Sequence, residues 1–314
     1  MNIKLFFKPL SRDLCCILLG CAALSVMSAN PVQAASTDTP PQPSASTPVS
    51  LPDTQVFSLQ DAKGKPYRIF VAVPPGDAPA QGYGTLTLLD GNAYFATAAE
   101  AMRMVQTFPE FVQDGAKQQA QPVLVVGVAY PGDALFDGPR RSWDFLPPAR
   151  NPEHIERLRG AEPGGADAFL AFLTETLRPA LAARWPLRND LHTLAGHSLG
   201  GYFTLHALAS QPAAFQRYAA ISPSTWWDDL RIATDLAQAP ASQARVLLEV
   251  AEDEWPGYPD YSTVMLDGAR AVRDTLTQKG PDAGTLRYRE IPGADHMTTP
   301  VVSMPDIVRF ATRP

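Results

Sequence analysis

The chain has 314 residues, 45% of them hydrophobic, and a net charge of −6. That length supports one large core or at most two domains. A mildly acidic chain without a basic tract argues against nucleic acid or anionic lipid as a partner.

Residues 1–34 read as a targeting segment. Lys4, Lys8 and Arg12 make a basic start, Leu14 to Met27 an apolar run too short for a stable membrane span, and Val32-Gln33-Ala34 a small-residue cleavage site. Leu18-Leu19-Gly20-Cys21 offers a second reading, a lipid anchor on Cys21. Soluble export is favoured because the apolar run before Cys21 is very short and continues well past it. Cys15, Cys16 and Cys21 are the three cysteines of the chain. A chain cleaved after Ala34 therefore has no disulfide, no thiol nucleophile and no cysteine-based metal site, which points to a bacterial periplasm or exterior. Cleavage also takes the net charge to −8, since the segment holds three basic residues and one aspartate. Residues 35–53 are rich in Pro, Ser and Thr and read as a flexible linker. Residues 54–314 read as a single folded domain.

Within that domain short β-type runs alternate with longer helical ones, the pattern of a wound α/β sheet. Tyr67 to Val73 alternates and is expected to pair antiparallel with Val56 to Leu59. Thr85 to Leu89 and Val123 to Val128 are near-continuous apolar runs, as in strands covered on both faces. Ala93 to Phe108 between them reads as a helix. Ala166 to Trp185 reads as a long helix that Pro179 should end or kink. Then come a strand at Leu191 to Ala195, a helix at Gly201 to Ser210, and strands at Tyr218 to Ile221, Arg245 to Val250 and Leu286 to Ile291. A helix at Tyr261 to Lys279 separates the last two strands, and a helix at Asp306 to Thr312 closes the chain.

The most informative stretch is Gly196-His197-Ser198-Leu199-Gly200, which fits G-x-S-x-G between a strand and a helix. A serine on such a turn is strained and exposed, and the glycines let neighbouring backbones approach. A serine hydroxyl needs a base within hydrogen-bond reach. Of the five histidines, His296 sits in the turn-rich loop after the last strand, where a doubly wound hydrolase sheet delivers its base. His197 is expected to point away from the serine. His154, His192 and His206 lie in a polar loop, in the preceding strand and in the following helix. An acid to orient His296 should follow Arg245 to Val250, where Glu252, Asp253 and Glu254 are all available. Glu254 is the first choice, a few residues past the strand end, and Asp253 the second; a Ser198–His296 dyad is the alternative. For the oxyanion, the Leu199 N–H is one donor, and Gly91 or Asn92 in Leu89-Asp90-Gly91-Asn92 the other.

Three segments carry a family resemblance: Leu88 to Phe95, Gly196 to Gly201, and Ser222-Pro223-Ser224-Thr225-Trp226-Trp227. Together they resemble the esterase-D-like α/β-hydrolases, and within them the exported siderophore esterases that cut the trilactone of enterobactin and its glucosylated relatives. Arg140-Arg141-Ser142-Trp143-Asp144-Phe145-Leu146-Pro147-Pro148 resembles that family's Arg-x-x-Asp-x-x-Pro segment. The resemblance runs from about residue 55 to the end. It implies an α/β-hydrolase fold, a mostly parallel central sheet flanked by helices, with Ser198 and His296 as catalytic pair. It also implies that periplasmic members can lack a properly placed acid. No cofactor or metal is needed for the chemistry, although the substrate can carry iron. The implied substrate is a bulky, flat-faced ferric tricatecholate anion. Arg140 or Arg141 can pair with its oxygens, and Trp226 and Trp227 can wall the site. The blander account is an Arg141–Asp144 ion pair over buried tryptophans. The same superfamily holds feruloyl-type esterases, S-formylglutathione hydrolases and mycolyl transferases. A general carboxylesterase acting on acyl or feruloyl esters, and a non-catalytic ferric-siderophore binder, are therefore the rival readings.

Overall fold

The computed structural model describes residues 45–108, 120–280 and 286–313. The expected targeting segment 1–34, with Cys21, and linker residues 35–44 lie outside the described residues. Residues 45–50 are exposed and carry no regular structure.

The strands are β1 (Thr54–Gln60), β2 (Pro66–Ala72), β3 (Tyr83–Leu88), β4 (Val123–Ala129), β5 (Leu187–His197), β6 (Arg217–Ile221), β7 (Arg245–Ala251) and β8 (Leu286–Ile291). They form one sheet in the order β1-β2-β4-β3-β5-β6-β7-β8. β1–β2 and β2–β4 pair antiparallel, and every other neighbour is parallel. β3, β4 and β6 are buried along their whole length, which is why the sequence of the first two reads as near-continuous apolar runs. β8, at the edge, alternates instead.

The helices are α1 (Gly91–Thr107), α2 (Gly138–Phe145), α3 (Glu153–Glu156), α4 (Ala166–Ala171), α5 (Arg178–Ala182), α6 (Leu199–Ser210), α7 (Arg231–Gln238), α8 (Pro259–Lys279) and α9 (Thr299–Thr312). Side chains alternate across a strand, so the inner strands feed two cores. Leu86, Val123, Val125 and Ala195 pack with Phe95 of α1 and Ile307 and Phe310 of α9. Leu124, Val126, Leu194 and Leu248 pack on the other face with Phe169 of α4 and Phe203 and Leu205 of α6. α6 is buried on all sides and so shows no polar stripe.

Two helices differ from expectation. The run from Ala166 does not reach Trp185 as one α-helix: a π turn at Phe172–Leu177 joins α4 to α5. Pro179 has no N–H for the preceding turn, and the widened turn absorbs that loss before α5 ends at Ala182. α9 begins at Thr299 rather than Asp306, because Pro300 occupies its first turn, where no backbone donor is required.

Glu249, buried on β7, lies 3.1 Å from the Arg289 guanidinium. Burial raises its carboxyl to about 7; Arg289 opposes the shift and Asp306 reinforces it. An unfolded glutamate titrates at about 4.3. Between these values the folded chain holds more protons than the unfolded one, so this group costs stability increasingly as pH rises. Glu249→Gln is expected to raise stability relative to the parent, more at pH 8 than at pH 5, in urea unfolding at the two pH values.

Candidate active site

Ser198 stands at the junction of β5 and α6 with φ 59° and ψ −119°, a conformation that side chains rarely adopt. The turn is so tight that a Cβ on Gly196 would fall 2.2 Å from the Gly200 carbonyl oxygen. A Cβ on Gly201 would fall 2.9 Å from the Ile221 oxygen and 3.0 Å from Pro223 Cα. Glycine at these positions brings the end of β6 against the elbow. There the Ser198 N–H donates to the Ile221 carbonyl at 3.0 Å.

His296 arrives in the loop between β8 and α9. Asp295 fixes that loop by accepting the backbone N–H groups of Met297 (2.9 Å) and Thr298 (2.8 Å). His296 Nε2 lies 3.0 Å from Ser198 Oγ, and Nδ1 lies 2.5 Å from Glu254 Oε2. The other Glu254 oxygen accepts the Ala251 N–H at 2.9 Å, and the Glu254 carbonyl accepts the His296 N–H at 2.9 Å. Glu254 is buried, and the Trp255 ring stacks on the imidazole at 4.8 Å. The structure thus brings Ser198, His296 and Glu254 together. Glu252 is exposed, and Asp253 instead accepts the Ser262 hydroxyl at 2.8 Å. With a carboxylate on Nδ1, the imidazole carries its proton there, and Nε2 is free to accept from the serine.

The other histidines are held elsewhere. His192 meets Thr85 at 2.8 Å, His206 meets Asp167 at 2.8 Å, and His154, buried rather than in an open loop, meets Asp229 at 3.1 Å. His197 does not turn away to a separate environment. Its Nδ1 meets the Tyr94 hydroxyl at 2.9 Å, and its ring lies 4.6 Å from that of His296. Burial, with the Arg141 guanidinium adding to it, holds it far below the usual imidazole range, so it stays neutral.

A cavity of about 620 Å³ opens above Ser198. Leu199, Arg141, Trp226 and His197 line it. Gly91 and Asn92 do not. Gly91 packs on β4, where a Cβ would fall 2.8 Å from the Gly127 carbonyl carbon. The Asn92 side chain ties α1 to the 130–134 loop, donating to the Gly132 and Ala134 carbonyls and accepting the Tyr130 N–H. Arg140 and Trp227 are also absent from the lining. Successive helical residues point about 100° apart, so the two arginines of α2 part company. Arg141 reaches the cavity wall and forks onto buried Asp90 at 2.6 and 3.0 Å, not onto Asp144. Arg140 turns beneath α2, over the rings of Tyr67 (4.7 Å) and Tyr130 (5.0 Å), 3.9 Å from Asp144. Trp227 is fully buried in the core beside His154.

The sequence reading missed the 157–161 segment, which puts Arg157 and Arg159 on the cavity wall, and it missed Trp255 and Tyr261, which also line it. Trp255 had a signal, since it adjoins the favoured acid. The arginines had none, because a loop's distance to the serine is set by tertiary packing. No carboxylate is among the described residues that line the cavity. No group of three metal-ligating side chains is found among the described residues, and no described helix is long and apolar enough to cross a membrane.

A family described as putative esterase matches residues 61–305. The chain belongs to this esterase family. The esterase is 30% identical over 274 residues to the ferri-bacillibactin esterase BesA of Bacillus subtilis (strain 168), a match covering 84% of this chain and 91% of that one. It is 38% identical over 192 residues to the siderophore triacetylfusarinine C esterase of Aspergillus fumigatus, covering 59% of this chain and 61% of the relative. Among solved structures, the BES protein of Bacillus cereus superposes with a TM-score of 0.73 at 28% identity, covering 87% of this chain and all (100%) of that one. The sheet and its flanking helices are those of an α/β-hydrolase, and the chain is a hydrolase acting on ester bonds.

In this esterase, Glu254→Gln replaces the acceptor on His296 Nδ1 by a neutral amide. It is expected to lower kcat roughly a hundred- to ten-thousandfold with little change in KM, measured on p-nitrophenyl butyrate.

Proposed function

We propose that the esterase hydrolyses the ester bonds of a catecholate siderophore, an enterobactin-like trilactone, to release its iron in the periplasm. The observation that carries this reading is the cavity wall. Arg141, Arg157 and Arg159 line a space with no carboxylate among its described lining residues, and Trp226 and Trp255 offer flat apolar surfaces. Such a wall suits a planar, polyanionic ligand, since arginine both pairs with oxyanions and stacks on rings. The volume, about 620 Å³, lies in the range of small-molecule sites. Two relatives bear names as esterases of siderophores. Residues 1–34 supply the export signal in this reading, and iron is cargo of the substrate.

In the proposed reaction Ser198 Oγ attacks the ester carbonyl while its proton passes to His296 Nε2. Glu254 stabilises the imidazolium that forms, and the Leu199 N–H, unpaired at the start of α6, donates to the oxyanion. His296 then protonates the leaving alkoxide. Water, deprotonated by the same imidazole, releases the acyl group from Ser198.

The test incubates the parent and Ser198→Ala with ferric enterobactin and with p-nitrophenyl butyrate, reading products by mass spectrometry. The parent is expected to open the trilactone and Ser198→Ala to leave it intact. Turnover of the short ester alone makes the chain a general carboxylesterase. Tight chelate binding without hydrolysis of either makes it a binder. Arg157→Ala with Arg159→Ala is expected to raise KM for the tricatecholate about tenfold or more at low salt while sparing the neutral ester.

A further inference from the structure

We propose that Ser224 is a second catalytic hydroxyl, donating a hydrogen bond to the nucleophilic oxygen of Ser198 throughout the reaction. The inference rests on the reading of Ser198 as nucleophile and adds to it a residue with no assigned role. Ser224 Oγ lies 3.2 Å from Ser198 Oγ, and that is its one hydrogen bond among the described residues. Ser224 is buried and lines the catalytic cavity.

The direction of this bond follows from counting protons. Glu254 holds the proton of His296 on Nδ1, so Nε2 is bare and takes the single hydroxyl proton of Ser198. Ser198 then has nothing left to give, and the 3.2 Å hydrogen bond between the two oxygens is donated by the Ser224 hydroxyl. One lone pair of Ser198 Oγ accepts this bond, and the other attacks the carbonyl carbon.

The turn carrying Ser224 is fixed by several contacts. The Ser224 N–H donates to the Ser198 carbonyl at 3.0 Å, and the Trp227 N–H donates to the Ser224 carbonyl at 3.2 Å. Gly201 admits Pro223 from one side, since a Cβ there would fall 3.0 Å from Pro223 Cα. Gly268 of α8 admits Thr225 from the other, since a Cβ there would fall 2.1 Å from Thr225 Oγ1. The donor is therefore in place before substrate arrives, which is the condition for electrostatic preorganisation.

The chemical effect follows the charge on one atom. As the Ser198 proton moves to His296, charge builds on Oγ before the new bond to carbon completes, and the Ser224 bond strengthens. In deacylation the same oxygen leaves as an alkoxide under the same donor, until His296 returns its proton. Ser224 transfers no proton, so the balance of the reaction is unchanged. A bond that strengthens towards charge lowers the barrier and leaves substrate binding alone.

The test compares the parent, Ser224→Ala and Ser224→Cys, whose thiol is a weaker donor of similar shape. Two rates are read on p-nitrophenyl butyrate and on diisopropyl fluorophosphate, which reports serine nucleophilicity without an ester substrate. Ser224→Ala is expected to lower kcat and the phosphorylation rate together, roughly ten- to a hundredfold, with KM unchanged and Ser224→Cys between. Parent rates in Ser224→Ala, or a loss confined to KM, overturn the inference while Ser198→Ala is inert. Turnover in Ser198→Ala overturns the nucleophile reading, and this inference with it.

Discussion

The site depends on one steric constraint, the tight passage from β5 into α6. Ser198 is held at φ 59°, and a side chain on Gly196 would collide with the Gly200 carbonyl. That conformation is costly alone, and the surrounding structure must over-determine it. Here the parallel ladder does so: β6 follows β5 in register, so the Ile221 carbonyl receives the Ser198 N–H and Gly201 lets the following turn close in. The strain is thus tied to a buried part of the sheet, and Ser198 is left lining the cavity.

Parallel strands deliver the remaining groups to the same rim. β7 ends at Ala251, three residues before Glu254, and β8 at Ile291, five before His296. Neither loop is long, and the His296–Glu254 backbone bond joins them directly. Charge is divided by depth. The acids Asp90 and Asp144 lie below the cavity, each in reach of an arginine of α2. Burial raises both carboxyls, that of Asp144 to about 6, against the pull of those arginines. The cavity wall itself carries arginines and rings, and the carboxylate of Glu254 sits against His296.

Much of this was legible in the residues. Near-continuous apolar runs gave away β3 and β4, because strands covered on both faces have little polar side to show. The Gly-x-Ser-x-Gly elbow and the loop after the last strand marked Ser198 and His296, and the distance from the strand end singled out Glu254. What failed was direction within dense segments. Arg140 and Arg141 are adjacent and chemically alike, and only the phase of α2 sends one beneath the helix and the other to the cavity. Trp226 and Trp227 divide the same way. Pro179 signalled a break but not the π turn that accommodates it. Arg157 and Arg159 were invisible, since nothing local ties the 157–161 segment to a serine some forty residues on.

The central claim is that Ser198 is the nucleophile because His296 reaches it. Labelling with diisopropyl fluorophosphate followed by peptide mass spectrometry tests it most directly. The account predicts one phosphoryl adduct, on the peptide containing Ser198, and its loss in His296→Ala. An adduct on any other residue, or an undiminished adduct without the imidazole, contradicts it.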